Sequence, residues 1–224
     1  MQKFATPAPV QAVLDIPAGR IQLIAADRDT TTVEVRPADA SKGRDVKAAG
    51  QVRIAHADGV LRIEVPQAKN RILGNTGSVE VTVQLPAGSS VEAKSAAAEL
   101  RGVGPLGDVV FDGAHGPVEL DEVAGVRLTG LDATVSVGRL NGSGEISTLK
   151  GDLTITEAAG GALTLSTQQG DITVGAAQGV SATLDAGTAY GRIRNTLTNT
   201  GSTAVAALTV KATTAYGDIT AGSL

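Results

Sequence analysis

Three aspartates occupy the same place in a recurring signature: Asp152 in TLKGDL, Asp171 in TQQGDI and Asp218 in TAYGDI. A fourth copy, TAYGRI, carries Arg192 instead. On stacked turns, two such carboxyls would fall within the roughly 5–10 Å separation that glycoside hydrolysis uses, provided one keeps its proton near neutral pH. The competing reading is structural. Asp after Gly suits a tight turn through local hydrogen bonding, and Arg192 would relieve repulsion between Asp171 and Asp218 in a ladder. The structural reading is preferred, and glycan cleavage stands third among the functional readings below.

Other reactive constellations fail on spacing. His56 and His115 lie in different regions, each without a second histidine or a spaced carboxylate, so neither a zinc site nor a charge-relay triad assembles. Both are expected at the surface. The repeated Gly and Asp do not form the nine-residue string of a calcium β-roll. Gly102 to Pro105 and Gly142 to Gly144 lack the Lys-Ser/Thr ending of a phosphate loop. Thr154 and Thr156 pair as an ice-binding array would, but the outward positions Thr154, Thr173, Arg194 and Thr220 are mixed and make no flat threonine array. No cofactor, metal, nucleotide or catalytic centre is expected, so the chain reads as a non-enzyme.

The elements that position these residues are strands. From Val91 onward, first strands begin near Val91, Val109, Val126, Glu145, Leu163, Ala182 and Leu208, a step of about 18 residues that lengthens only at the end. Each unit reads as strand, Gly turn, strand. Leu163, Leu165, Ile172 and Val174 then point inward, as do Val126, Leu128, Val135 and Val137, and later Ala182, Leu184 and Ile193. Even Ser95 to Leu100 aligns as a worn first copy. Self-similarity of this kind marks an all-β protein, a β-solenoid or parallel β-helix-like stack of about seven two-strand units over 90–224. Gly151, Gly170, Gly191 and Gly217 should hold equivalent positions, because a residue tolerant of positive φ recurs there unchanged.

Residues 1–89 differ, with longer period-two segments and more charge. They suggest an antiparallel strand region that caps the stack or merges into it. Asp58-Gly59 separates two alternating runs and fits a type I′ hairpin turn between Val52 to Ala55 and Val60 to Val65. Helix is nearly absent from this reading. The stretch from Gln67 to Gly77 and that from Asn195 to Ala206 read as loops.

Composition narrows the partners. A net charge of −4 with basic residues scattered singly disfavours nucleic acid. No window approaches the roughly 18 apolar residues of a membrane span, and the opening MQKFATPAP lacks the apolar run of a secretory signal, so a cytoplasmic chain without membrane insertion is expected. With no Trp, two Tyr and two Phe, the core must be aliphatic and thin, which suits facing sheets about 10 Å apart.

The strand terminators Ile16-Pro17-Ala18-Gly19 and Leu85-Pro86-Ala87-Gly88, followed by recurrent Gly-Asp-Ile/Leu-x-Ile/Val strands, resemble the bacterial β-strand-repeat family described as “putative adhesins”. The resemblance runs from about Val10 to the end. It implies a fold and an adhesin-like role, with an unidentified protein or glycan as partner.

One surface fits such a role. In the turn row Lys150, Gln169, Tyr190 and Tyr216, the two tyrosines should stack in adjacent units and gather half the aromatics into one patch, suited to sugar or protein recognition or to simple edge stabilisation. The first functional reading is therefore a non-catalytic binding module. The second is a self-assembling scaffold, with Leu208, Val210 and Ile219 at an open carboxy-terminal edge that pairs with another copy.

Overall fold

The computed structural model describes residues 1–66, 77–198 and 207–224. The loops expected at 67–77 and 195–206 fall largely outside these residues. Along the chain lie β1 (Gln2–Ala5), β2 (Gln11–Asp15), β3 (Ala18–Ala26), β4 (Thr30–Pro37), α1 (Gly43–Gln51), β5 (Arg53–Ala57), β6 (Val60–Glu64), β7 (Val79–Pro86), β8 (Ser90–His115) and β9 (Val118–Asp132). They are followed by β10 (Val135–Leu140), β11 (Gly144–Lys150), β12 (Leu153–Ala158), β13 (Gly161–Gln169), β14 (Ile172–Ala176), β15 (Ala182–Tyr190), β16 (Ile193–Thr196), β17 (Leu208–Tyr216) and β18 (Ile219–Ser223). The fold is nearly all β, a parallel stack of solenoid type.

Each rung gives one strand to a front sheet and one to a back sheet. In front, β9, β11, β13, β17 and β15 follow one another in parallel, while β9, β10, β12, β14, β18 and β16 do so behind. The long strands β8 and β9 bend through both sheets, β8 pairing with β2 at one end and with β3 further on. Identical positions stack, so Leu100, Val118, Val135, Leu153, Ile172 and Ile219 make one continuous buried ladder. Burial of each such side chain is worth about 1.5–3 kcal/mol. The inward sets expected around Leu163 and Val126 are buried as well.

The stack order departs from chain order at the far end. The rung of β17 and β18 lies between that of β13 and β14 and that of β15 and β16. This corrects two expectations. Leu208, Val210 and Ile219 form no edge; they sit in an inner rung with exposures of 1%, 0% and 1%. Of the expected inward set one unit earlier, Ala182 is buried, but Leu184 is only half-buried and Ile193 is 45% exposed, since their rung is outermost among the described residues. The reason lies in the inward positions. The inner rung offers Leu208, Val210, Ala212, Ile219 and Ala221, whereas the outer one places Asn195 opposite Ala221. Burying that amide between rungs would cost its hydration without a partner.

The same inversion recurs at the amino-terminal end, where β2 and β3 lie against β8, and β6 and β7 lie outside them. The antiparallel layer expected there is therefore confined to β1 with β4, β4 with β7 and β5 with β6. The expected hairpin is present, with Asp58 and Gly59 at φ 50° and 75°, both positive as a type I′ turn demands. α1 was not foreseen. It buries Ala48, and its buried Asp45 accepts the Ser78 N–H at 3.0 Å. Among the described residues no helix is long and apolar enough to cross a membrane.

The inversion is open to test by hydrogen exchange. Amides of β17 should exchange more slowly than those of β15, although β17 comes later in the chain, because a strand paired on both sides opens only with its neighbours. Faster exchange in β17 would contradict the rung order.

Candidate functional site

The corner between the sheets is set by how closely the rungs approach there. A Cβ on Gly170 would overlap the carbonyl oxygen of Gly151, one on Gly217 that of Gly170, and one on Gly191 that of Gly217. The four glycines thus hold equivalent positions. Positive φ is only part of the cause, since Gly191 lacks it and meets the same carbonyl approach. Ala98 takes the corresponding place in the worn first copy, beneath Gly116.

Two side-chain ladders flank this corner. Thr214 Oγ1 donates to Gly170 O at 3.0 Å and Thr188 Oγ1 to Gly217 O at 3.0 Å, a role the sequence reading missed although a threonine stands three residues before each glycine. On the other side, the Asp171 N–H donates to Asp152 Oδ1 at 2.8 Å, the Asp218 N–H to Asp171 Oδ1 at 2.7 Å and the Arg192 N–H to Asp218 Oδ1 at 2.9 Å. Each carboxylate fixes the next rung. Arg192 does not separate Asp171 from Asp218; it ends the row, and its Nη2 donates to Asp218 Oδ2 at 2.8 Å. The Arg192 N–H, then its guanidinium, hold the Asp218 carboxyl below its usual value, the opposite of what a general acid needs.

Immediately before the glycines runs an exposed ridge. Strand register aligns His115, Asp132, Lys150, Gln169, Tyr216 and Tyr190 in that order. The four residues expected to share a row do so, and His115 and Asp132 extend it. The Tyr190 and Tyr216 rings are stacked with centroids 5.0 Å apart and planes 3° apart, close to the strand spacing of about 4.8 Å. They remain 68% and 55% exposed. No described strand pairs with the other edge of β15, so the outer face of Tyr190 is uncovered by described residues.

Beside the ridge, Leu131 and Leu149 also expose about half their surface. Sequence periodicity had not singled them out, because they occupy the corner where alternation is interrupted. The front sheet holds two open depressions, of about 460 Å³ beside Asp108, Arg127 and Glu145 and of about 540 Å³ beside Lys94, Asp112 and Leu131. In the first, Arg127 is already paired with Glu145 at 3.1 Å. His56, expected at the surface, is half-buried against Phe4, with ring centroids 5.3 Å apart. Among the described residues, no three of His, Cys, Asp and Glu converge as metal ligands.

The Toastrack DUF4097 family model matches residues 13–223. The chain belongs to this family. Solved structures similar to this Toastrack chain include a “putative cell adhesion protein” of Clostridium sporogenes ATCC 15579, 12% identical over 100% of this chain and 98% of that one, with a TM-score of 0.42. Another is a “putative adhesin” of Bacteroides fragilis NCTC 9343, 12% identical over 100% and 95% of the two chains, with a TM-score of 0.46. A third, of Parabacteroides distasonis ATCC 8503, carries the same description and is 16% identical over 100% and 95%, with a TM-score of 0.44. No curated protein matches the chain.

Two predictions arise from the corner. Gly217→Ala should lower stability by at least about 2 kcal/mol in denaturant titration, whereas Gly187→Ala, whose Cβ would meet only Thr213 Cγ2 at 3.9 Å, should stay within about 0.5 kcal/mol. The second concerns acid. Because the folded-state pKa of Asp218 is depressed, its stabilising effect is complete above the ordinary value of 3.8 and is lost as pH falls below that through the folded value. Asp218→Asn should therefore lose less stability than the wild type below about pH 4 and show no such difference in slope near neutrality, as read from urea midpoints across pH.

Proposed function

We propose that this Toastrack chain is a non-catalytic, adhesin-like recognition module that binds glycans along its corner ridge. The observation that carries the reading is the exposed, parallel-stacked Tyr190 and Tyr216 pair, with the outer face of Tyr190 uncovered by described residues and the row continued by Gln169 and Lys150 at strand spacing. Aromatic planes with a polar tip offer an apolar surface and a hydrogen-bonding group together. The C–H face of a sugar ring packs on such a plane, while the amide and ammonium groups can bond its hydroxyls. Backbone spacing fixes the row before any ligand arrives, so little ordering entropy is lost on binding.

Catalysis on those glycans is not favoured, because the candidate carboxylates already accept backbone N–H groups from neighbouring rungs. Recognition needs no such freedom. A glycan array should show at least one oligosaccharide retained by the wild type, with the double replacement Tyr190→Ala, Tyr216→Ala weakening it tenfold or more, about 1.4 kcal/mol. Unchanged thermal unfolding would confirm an intact stack. An array with no retained oligosaccharide, or binding that survives the double replacement, overturns the reading.

A further inference from the structure

The outermost described rung departs from the inner ones in one strand. At the positions of β14 and β18, the back sheet reads Asp171, Ile172, Thr173, Val174 and Asp218, Ile219, Thr220, Ala221, whereas the terminal rung reads Arg192, Ile193, Arg194, Asn195. Three of the four positions change, and each change removes something a further strand would use. The aspartate that accepts the next N–H becomes Arg192, which folds back on Asp218 through Nε at 3.2 Å and Nη2 at 2.8 Å. The outward threonine becomes the exposed Arg194. The inward aliphatic becomes Asn195, whose Oδ1 accepts the Leu197 N–H at 3.0 Å and so places a polar group where the inner rungs carry an aliphatic one. The front strand of the same rung keeps the repeat, with Thr188, Ala189 and Tyr190 aligned on Thr214, Ala215 and Tyr216.

We infer that β16 is a terminator strand that prevents a second copy of this chain from pairing on the end of the stack. The excluded partner is another copy because two ends meeting about a two-fold axis set each strand against its own duplicate. Arg192 and Arg194 of both chains would then crowd together, and like charges directly opposite one another destabilise a strand pair. Long basic side chains and inward polar residues are established means of protecting an edge. Exclusion of a second copy also keeps that copy off the outer face of Tyr190, which no described residue covers, although the inference stands without any glycan being bound.

The test rewrites β16 as an inner strand. The triple variant R192D/R194T/N195V should gain concentration-dependent association in sedimentation velocity, its weight-average mass rising from the 22.4 kDa monomer, with new protection of β15 and β16 amides in hydrogen exchange. The wild type should remain monomeric over the same range. The milder pair R192Q/R194Q removes only the charge, and guards against misfolding of the triple variant; it should associate through the same strands more weakly. Folded variants that stay monomeric, association that leaves β15 and β16 unprotected, or a wild type that already pairs there would each overturn the inference.

Discussion

The contact on which the structure depends is the approach of one rung's backbone to the carbonyl of the next at the glycine corner. Because no side chain fits between Gly170 and Gly151, or between Gly217 and Gly170, the rungs can close to strand spacing as the chain reverses from front sheet to back. That spacing is then imposed on everything attached to the corner. It aligns the Thr hydroxyls with the carbonyls, the Asp carboxylates with the following N–H groups and the two tyrosine rings with one another. A rung displaced at the corner would lose all three ladders together, so the tyrosine platform is as rigid as the turn beneath it.

A core built from such rungs is a set of aliphatic ladders, each member covered by its counterparts above and below. The scattered surface charges obey the same geometry. Arg20 bridges toward Glu80 and Glu99, Arg101 reaches Glu119 and Asp121, and Arg139 pairs with Glu157, all between neighbouring rungs. These exposed pairs contribute under about 1 kcal/mol each. Their effect is on register more than on stability, since a slip by one residue would place every inward side chain in water.

Much of this was legible in the sequence, because a rung is encoded locally. The period-two runs placed Leu163, Leu165, Ile172 and Val174 inside, Asp58-Gly59 gave the hairpin, and the Gly signature aligned Lys150, Gln169, Tyr216 and Tyr190. The neighbour of each rung was not legible. Units that share TAYG can exchange places without altering their own turns, so only the back-strand differences, Arg192, Arg194 and Asn195 against Asp218, Thr220 and Ala221, mark which one lies inside. The parallel pairing of β2 and β3 was hidden for the same reason: alternation reports a buried face and says nothing of the partner's direction. α1 was obscured by its length and by Gly43 and Gly50, which weaken helix propensity, while the contacts that stabilise it come from distant Ser78.

The inverted rung order also bears on how the ends of the stack resist opening. If rungs followed the chain, the outermost one could peel away as a flexible tail, gaining the full conformational entropy of its residues. Here the rung of β15 and β16 is bounded on both sides by chain that returns to the stack, through Ala177 and Val180 before it and through Leu208 after it, all three buried. Opening that rung creates a loop anchored at both ends. A closed loop has fewer conformations than a tail of equal length, so the gain on opening is reduced. The rung with the weakest inward pattern is thus held by its connections, which allows it to carry Arg192, Arg194 and Asn195 where better-packed rungs carry Asp, Thr and an aliphatic residue. Edge protection and retention of the edge are separable requirements, and the first becomes compatible with a stable stack because the topology supplies the second.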